Sequence, residues 1–322
     1  MEPLDLNRTP YVADLQRGLL EEGYFLVKKI MLQMGKSGKP FLRLLLSDRT
    51  GYLPAVYFGP KGKLEELART IPEGAIVKVK GVLEDFQEVL QLRLFDVQVS
   101  DKSEWELSRF VRRTPHDRRQ LYKGIKRLLV KIENKELRIL CFHFLKDKNF
   151  MKLFLEAPAS RYAHHAYVGG LLEHTLNVMK LCDAYSRIYE NTNKDLLLAG
   201  AFLHDIGKVD EFRYLFDVNT SVEGKLKGHT LLGYERLQKK LPFVSLPPKL
   251  KLKLEHILLS HQGKRIWGAV EEPRFVEAYL VHAADSTDSA QFIYSNAKAR
   301  SIKSDEPWSE FISYLGREVY LG

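Results

Sequence analysis

Cysteine is scarce: the 322 residues contain only two. Cys141 and Cys182 stand apart among apolar neighbours, which excludes a disulfide framework and any cysteine-rich zinc motif. They read as buried thiols in a reducing compartment, and a cytoplasmic location is expected. Long hydrophobic runs are also missing. No apolar stretch approaches the ~20 residues that cross a bilayer, and the first residues, MEPLDLNRTP, lack the basic-then-apolar order of a secretion signal. A soluble chain without a membrane partner is therefore expected. There is no internal repeat, low-complexity tract or heptad run. One phosphate-binding motif is only imitated. Gly35-Lys36-Ser37 ends like a P-loop, but Ile30 stands where the first glycine is needed, and Pro40 opens a strand where a helix must follow.

Charge is plentiful and unevenly placed, with 50 basic and 41 acidic residues. The excess lies in the middle: residues 101–160 carry 15 basic and 8 acidic side chains, against 14 and 13 before them and 21 and 20 after. Arg109, Arg112, Arg113, Arg118, Arg119, Lys123, Lys126 and Arg127 form the block. It suits a polyanion such as RNA or DNA, and reads equally as a solvated helical face.

The length suggests two or three domains. We read 1–104 as a β domain, 105–158 as a basic helical connector and 159–322 as an all-α domain. In the first, Tyr24–Met34, Lys39–Asp48, Tyr52–Phe58, Ala75–Asp85 and residues 88–100 alternate apolar and polar side chains between turn residues. A short helix, Gly62–Thr70, follows the third strand. Five strands with a helix after the third give the order of an OB-fold barrel, and LRLLLSDRTGYLPAVYF resembles strands two and three of the OB-fold nucleic-acid-binding family. Phe25, Phe41, Tyr52, Tyr57 and Phe58 are candidate base platforms, although a small barrel fills its interior with such rings. Arg112, Arg113, Arg118, Arg119, Phe41 and Tyr57 are the nucleic-acid-binding candidates. The near-neutral barrel segment fits a lid or an oligomer contact equally well, so a homo-oligomer is an open partner state.

Further along, helices are expected at Trp105–Arg113, Asp117–Lys131, Lys135–Lys148, Val168–Tyr189, Asp195–Ile206, Thr230–Lys240, Pro248–Ser260, Glu271–Asp288 and a terminal 302–321, with a polar loop over Phe216–His229. Eight of the ten histidines fall in the second half. LLLAGAFLHDIGK (196–208) ends an apolar helix on His204-Asp205. The pair alone is weak, because a second one, His116-Asp117, stands beside Pro115, where Asp117 reads as a helix cap. His174 upstream and Asp285 downstream supply N and O donors from two other helices, the donor chemistry a divalent cation needs.

These residues resemble the HD-domain metal-dependent phosphohydrolase superfamily. HHAYVGGLLEHT (164–175), LLLAGAFLHDIGK, EGKLKGHT (223–230) and EHILLSHQGK (255–264), behind an OB-like domain, resemble more closely the bacterial 3′-5′ exoribonuclease YhaM (CMP-binding factor) family. The resemblance implies that His174, His204, Asp205 and Asp285 hold one metal. It implies that Asp205 bridges to a second, for which His229, His256 and His261 are the candidates. Close relatives commonly show two adjacent histidines where this chain has His261-Gln262. Manganese is the implied cofactor, with magnesium, cobalt and iron as alternatives. Lys208 is the candidate electrophile beside Asp205; His164, Asp288 and Lys264 are candidate substrate contacts or supports. His143, His165 and His282 read as structural.

The function expected is a metal-dependent 3′-5′ exonuclease on single-stranded RNA or DNA, releasing nucleoside monophosphates. The alternatives are a phosphohydrolase of a small or cyclic nucleotide, with the barrel used for oligomerisation or regulation, and a non-catalytic nucleic-acid binder.

Overall fold

The structure is a computed structural model describing residues 9–35, 37–87, 89–214, 216, 218–301 and 307–322. The chain divides into two compact units, Met1–Arg112 and Arg113–Gly322.

The first unit is a closed five-stranded barrel of order β1-β2-β3-β5-β4: β1 Gly18–Met34, β2 Pro40–Ser47, β3 Tyr52–Tyr57, β4 Ile76–Phe86 and β5 Val89–Val99. β1 pairs antiparallel with both β2 and β4, and the parallel β3–β5 pairing completes the ring. Alternation sets the inside: Leu42, Leu44 and Leu46 of β2 point into the core with Phe25, Val27, Ala55, Tyr57, Val77, Val79, Leu92 and Leu94. Helix α1 (Lys61–Thr70) follows β3, as the strand–helix order required, and buries Leu64. Its neighbour β1 begins six residues before the predicted Tyr24. Two register shifts in β1 let this long strand bend around the barrel. Arg109, from the basic block, is not free for a ligand. It is 5% exposed, and its guanidinium donates to the Thr9 and Pro10 carbonyls and covers the Tyr11 ring. The predicted helix at 105–113 reduces to one tight turn, Leu107–Arg109.

The second unit is helical: α2 Arg118–Val130, α3 Lys135–Lys146, α4 Lys148–Phe154, α5 Gly170–Ile188, α6 Lys194–Leu203, α7 Lys208–Glu211, α8 Val222–Lys240, α9 Pro248–Ser260 and α10 Val276–Ser301. Helix α6 is buried on every side from Leu196 to Leu203, which is why its sequence shows no polar stripe. α5, α9 and α10 pack around it. Helices α2 to α4, read as a connector, contribute Leu121, Ile125, Leu140, Phe144 and Phe150 to this same core.

The helix expected at 135–148 forms as α3 and ends two residues early, where Asp147 turns its carboxylate onto the Asn149 and Phe150 N–H groups and starts α4. Three local expectations are corrected. The predicted loop 216–229 is mostly the first part of α8. Ser221 caps it, and it kinks where Gly228 takes φ +71°. Helix α10 continues past Asp288 to Ser301. The predicted terminal helix 302–321 begins outside the described residues. From Pro307 onward the chain instead forms turns, closed by bridges Trp308↔Tyr320 and Ile312↔Arg317. Among the described residues, no helix is long and apolar enough to cross a membrane.

Candidate metal centre

The end of α6 meets α5, α8, α9 and α10 at one point, and Asp205 lies at its centre, 1% exposed. One oxygen, Oδ2, is 3.4 Å from His174 Nε2 and 3.3 Å from His204 Nε2. His174 Nε2 is also 3.2 Å from Asp285 Oδ1. The other oxygen, Oδ1, is 3.5 Å from His229 Nε2 and 3.4 Å from His261 Nε2. Asp205 therefore sits between two donor sets, His174/His204/Asp285 and His229/His261.

The imidazoles are oriented from behind. His204 Nδ1 donates to the Ala201 carbonyl and His261 Nδ1 to the Leu258 carbonyl, each at 2.7 Å. His174 Nδ1 donates to Asp288 at 2.7 Å, and His229 Nδ1 lies 3.3 Å from Glu211. With Nδ1 fixed as donor, a neutral ring presents a lone pair at Nε2. Such lone pairs would face each other at 3.2 Å between His174 and His204, and at 3.3 Å between His229 and His261. Among the described residues, neither buried Asp205 oxygen has a hydrogen bond of acceptable geometry, although the Lys208 ammonium lies against Oδ2. Imidazole and carboxylate acceptors crowded at one point fit a cation, and carbonyl or carboxylate support behind each histidine is what ligating imidazoles need.

Charge is balanced locally. Burial raises the Asp205 carboxyl, but the Lys208 and His204 charges and the close approach of the His174 and His204 rings hold it well below the usual range. For Lys208, burial lowers the ammonium, while the Asp205 and Asp285 carboxylates outweigh it and raise it. Its Nζ is 2.5 Å from Asp205 Oδ2. His174 is likewise lowered by burial and raised overall by Asp205, Asp285 and Asp288. A proton on His174 and a metal ion answer the same carboxylate charge. His164 differs: burial, then the His174 and Lys208 charges, hold its ring well below the usual value.

The predicted site residues are thus distributed unequally. His174, His204, Asp205, Lys208, His229, His261 and Asp285 come together, with Asp288 behind His174 and His164 at its side, 5.1 Å between ring centroids. His256 is elsewhere: its Nε2 accepts the Arg274 N–H and its ring packs on Phe275. Lys264 is exposed with its ammonium over the Trp267 ring. Tyr57 is corrected from base platform to barrel core, at 6% exposure, and Phe41 is half-buried against the exposed Phe58. Arg112, Arg113 and Arg119 are exposed, whereas Arg118 reaches the Leu155 carbonyl. His165 and His282 are supports: His165 holds Asp288 at 3.0 Å, and His282 donates to the His261 carbonyl.

Sequence reasoning missed several contributors. Gln262, singled out as a departure, places its amide nitrogen 3.2 Å from His229 Nε2 and 3.0 Å from His261 Nε2. Glu173 ties Thr114 and Tyr167 behind His165. Its place one residue before His174 was the only signal available. Tyr314 arrives from the far C-terminal segment, with no local signal.

Comparison with known proteins gives three family matches. Residues 171–290 match the HD domain, residues 25–100 the OB-fold nucleic acid binding domain, and residues 109–192 a family described as putative helicase. The chain is also similar to solved structures. One is the second OB-fold domain of replication protein A from Methanococcus maripaludis (19% identity, 29% of this chain and 96% of that one, TM-score 0.23). Another is PriB from Ralstonia solanacearum (14% identity, 27% and 100% coverage, TM-score 0.22). A third is the mitochondrial single-stranded DNA binding protein Rim1 from S. cerevisiae (13% identity, 24% and 94% coverage, TM-score 0.20). Every residue of the Asp205-centred cluster except His164 falls inside the HD match.

Proposed function

We propose that an HD domain behind an OB barrel makes this chain a metal-dependent 3′-5′ exonuclease that hydrolyses single-stranded RNA or DNA to nucleoside monophosphates. The observation that carries the hydrolase reading is the unsatisfied Asp205 carboxylate between two sets of aimed imidazoles. The donor set suits a divalent ion, with manganese the reading taken from the family resemblance. His174, His204, Asp205 Oδ2 and Asp285 would hold one ion; Asp205 Oδ1, His229 and His261 would hold a second. Bound there, such ions acidify water toward neutral pH and offset charge on a phosphate.

The chain's own residues do the rest. Asp288 fixes the His174 ring, and Glu211 restrains His229. Lys208 is held charged and within the cluster, where its ammonium can face a non-bridging phosphate oxygen. The α6 core keeps the donors rigid, so little reorganisation is needed on reaction. Exonucleolytic direction rests on the family resemblance, and single-strand binding on the OB-type barrel, whose exposed Tyr52 and Phe58 rings can stack bases.

The test is a single-stranded RNA labelled at its 3′ end, incubated with the full chain and Mn²⁺. Labelled mononucleotide should appear first, and His204→Ala should abolish it. Internal fragments appearing first would refute the exonuclease reading. Turnover confined to mononucleotides or cyclic dinucleotides would move the assignment to a small-nucleotide phosphohydrolase. Strand binding without hydrolysis in Mg²⁺, Mn²⁺, Co²⁺ or Fe²⁺ would leave only a binding module.

A further inference from the structure

The proposed reaction leaves one buried ring beside the cluster without a role. His164 is 6% exposed, and among the described residues neither ring nitrogen has a hydrogen-bond partner. The residue is nonetheless fixed: Ser160 Oγ donates to its carbonyl at 2.6 Å and accepts its N–H at 3.0 Å. A nitrogen of His164 lies within 4.8 Å of both a His174 nitrogen and an Asp285 oxygen. Buried, rigid polar atoms without a protein partner are costly to keep, and they indicate a partner that arrives with the substrate.

Tyr314 stands beside it, with ring centroids 6.2 Å apart and planes at 64°. The C-terminal turn that carries Tyr314 is held by the Ile312↔Arg317 and Trp308↔Tyr320 bridges and by packing of the Trp308 and Tyr320 rings. Its hydroxyl end turns inward toward Ser289, itself 3.4 Å from Asp285. Even so, 54% of Tyr314 stays exposed. An aromatic ring fixed at one end and open over much of its surface can take a sugar or base against it.

We propose that His164 and Tyr314 are specificity-determining residues forming the subsite for the 3′-terminal nucleoside, with His164 hydrogen-bonded to a free 3′ hydroxyl and Tyr314 packed on the nucleoside. This rests on the nuclease reading above. A neutral imidazole offers one donor and one acceptor, the complement of a hydroxyl, which also has both. A phosphate only accepts, and a 3′ phosphate would bring a further anion toward Asp285 and Asp288. The pair therefore selects strand ends over strand interiors.

The test uses the full-length protein loaded with Mn²⁺ and isothermal calorimetry of three probes: AMP, 3′-deoxy-AMP and adenosine 3′,5′-bisphosphate. Wild type should bind AMP about 10-fold more tightly than either analogue, a loss of the size expected for one buried hydrogen bond. His164→Ala should weaken AMP to the same extent and no longer distinguish 3′-deoxy-AMP. Tyr314→Ala should weaken all three probes, and Tyr314→Phe should restore them. Metal content should stay at the wild-type level in every variant. Equal affinity of wild type for AMP and 3′-deoxy-AMP, a comparison that needs no variant, would overturn the proposal. So would loss of metal from His164→Ala, which would make the ring a ligand. If the oligonucleotide assay fails but these nucleotide differences hold, the exonuclease reading falls and the nucleoside subsite stands. If strands are shortened from the 3′ end without these differences, only the subsite falls.

Discussion

Gly207 offers the sharpest test of how the cluster is held. It follows Asp205 by two residues and passes against α8. A Cβ placed there would lie 1.9 Å from the His229 carbonyl oxygen and 2.4 Å from the Gly233 nitrogen. Both atoms are backbone and cannot rotate aside, and the shorter contact is about 1.5 Å inside ordinary van der Waals separation. Gly207→Ala must therefore push α8 away. Overpacking costs about 1–3 kcal/mol, and backbone on both sides puts this site near 3. For a unit of this size, that lowers the melting temperature by roughly 6–12 °C. The displaced backbone carries the His229 ring, whose Nε2 is 3.5 Å from Asp205 Oδ1. A misplacement of about 1 Å in such a site costs on the order of 10²-fold in rate. Scanning calorimetry, elemental analysis of bound metal and the oligonucleotide assay should all register the change. Gly62→Ala is the control: its Cβ would meet nothing within 4 Å in helix α1, so it should leave stability unchanged or raise it by about 0.5–1 kcal/mol. Wild-type melting temperature and full metal content in Gly207→Ala would refute the steric argument.

Four further outcomes are expected. His261→Ala should halve bound metal and leave the ion at His174, His204 and Asp285; elemental analysis showing both ions kept, or both lost, would contradict two semi-independent donor sets. Asp288→Asn removes the charge that fixes the His174 and His165 rings and should weaken metal affinity about 10–100-fold without unfolding the chain, read by competition with a chelating dye. Burial raises the Asp183 carboxyl, but Lys131 and Arg187 outweigh it and hold it below its usual value. A depressed acid stabilises the fold fully above the unfolded pKa near 4 and loses that contribution as pH falls through the folded value. The melting-temperature gap between wild type and Asp183→Asn should thus be constant from about pH 7 to 5 and close below about pH 4; an undiminished gap in acid would contradict the assignment. In the barrel, Tyr57→Ala should cost on the order of 3 kcal/mol by urea unfolding. Phe58→Ala should change stability by less than about 0.5 kcal/mol while weakening single-strand binding; strong destabilisation by the latter would remove Phe58 from the exposed platform.

The site places polar groups where burial penalises them most. Asp205, His174 and His204 are each 1% exposed or less, the first and last of them following the apolar run Leu196–Leu203 of α6 and His174 facing them from α5. The cost is met by reciprocal charge, with Lys208 and His174 against three carboxylates, and by imidazoles whose rear nitrogens are already bonded. Such a cluster is poorly balanced by protein groups alone, because Asp205 keeps two oxygens without proper donors. A cation resolves that imbalance, so metal binding and stability of the α5–α6–α10 core should rise together.

Local sequence determined much of this protein. Alternation of period two placed Leu42, Leu44 and Leu46 inside a strand, and the strand–helix order indicated the barrel before any coordinates. The apolar run ahead of His204 marked a buried helix, and the donor order His174, His204-Asp205, Asp285, through its resemblance to the HD-domain superfamily, pointed to residues that the fold gathers into one cluster able to hold a metal. Other features were out of reach because no local pattern encodes them. His256 and His261 stand at neighbouring turns of one helix end, yet packing sends one to Phe275 and the other to Asp205. Ala55, Val56 and Tyr57 are all buried at the end of β3 while Phe58, just past the strand, is exposed, so simple alternation does not tell the two rings apart. Arg109 looked like part of a nucleic-acid patch until the Thr9 and Pro10 carbonyls claimed it. Tyr314 reaches the cluster from a segment whose composition suggested one more helix. Sequence fixes which side chains can do chemistry; long-range packing decides which of them share a point in space, and here that point is the unsatisfied carboxylate of Asp205.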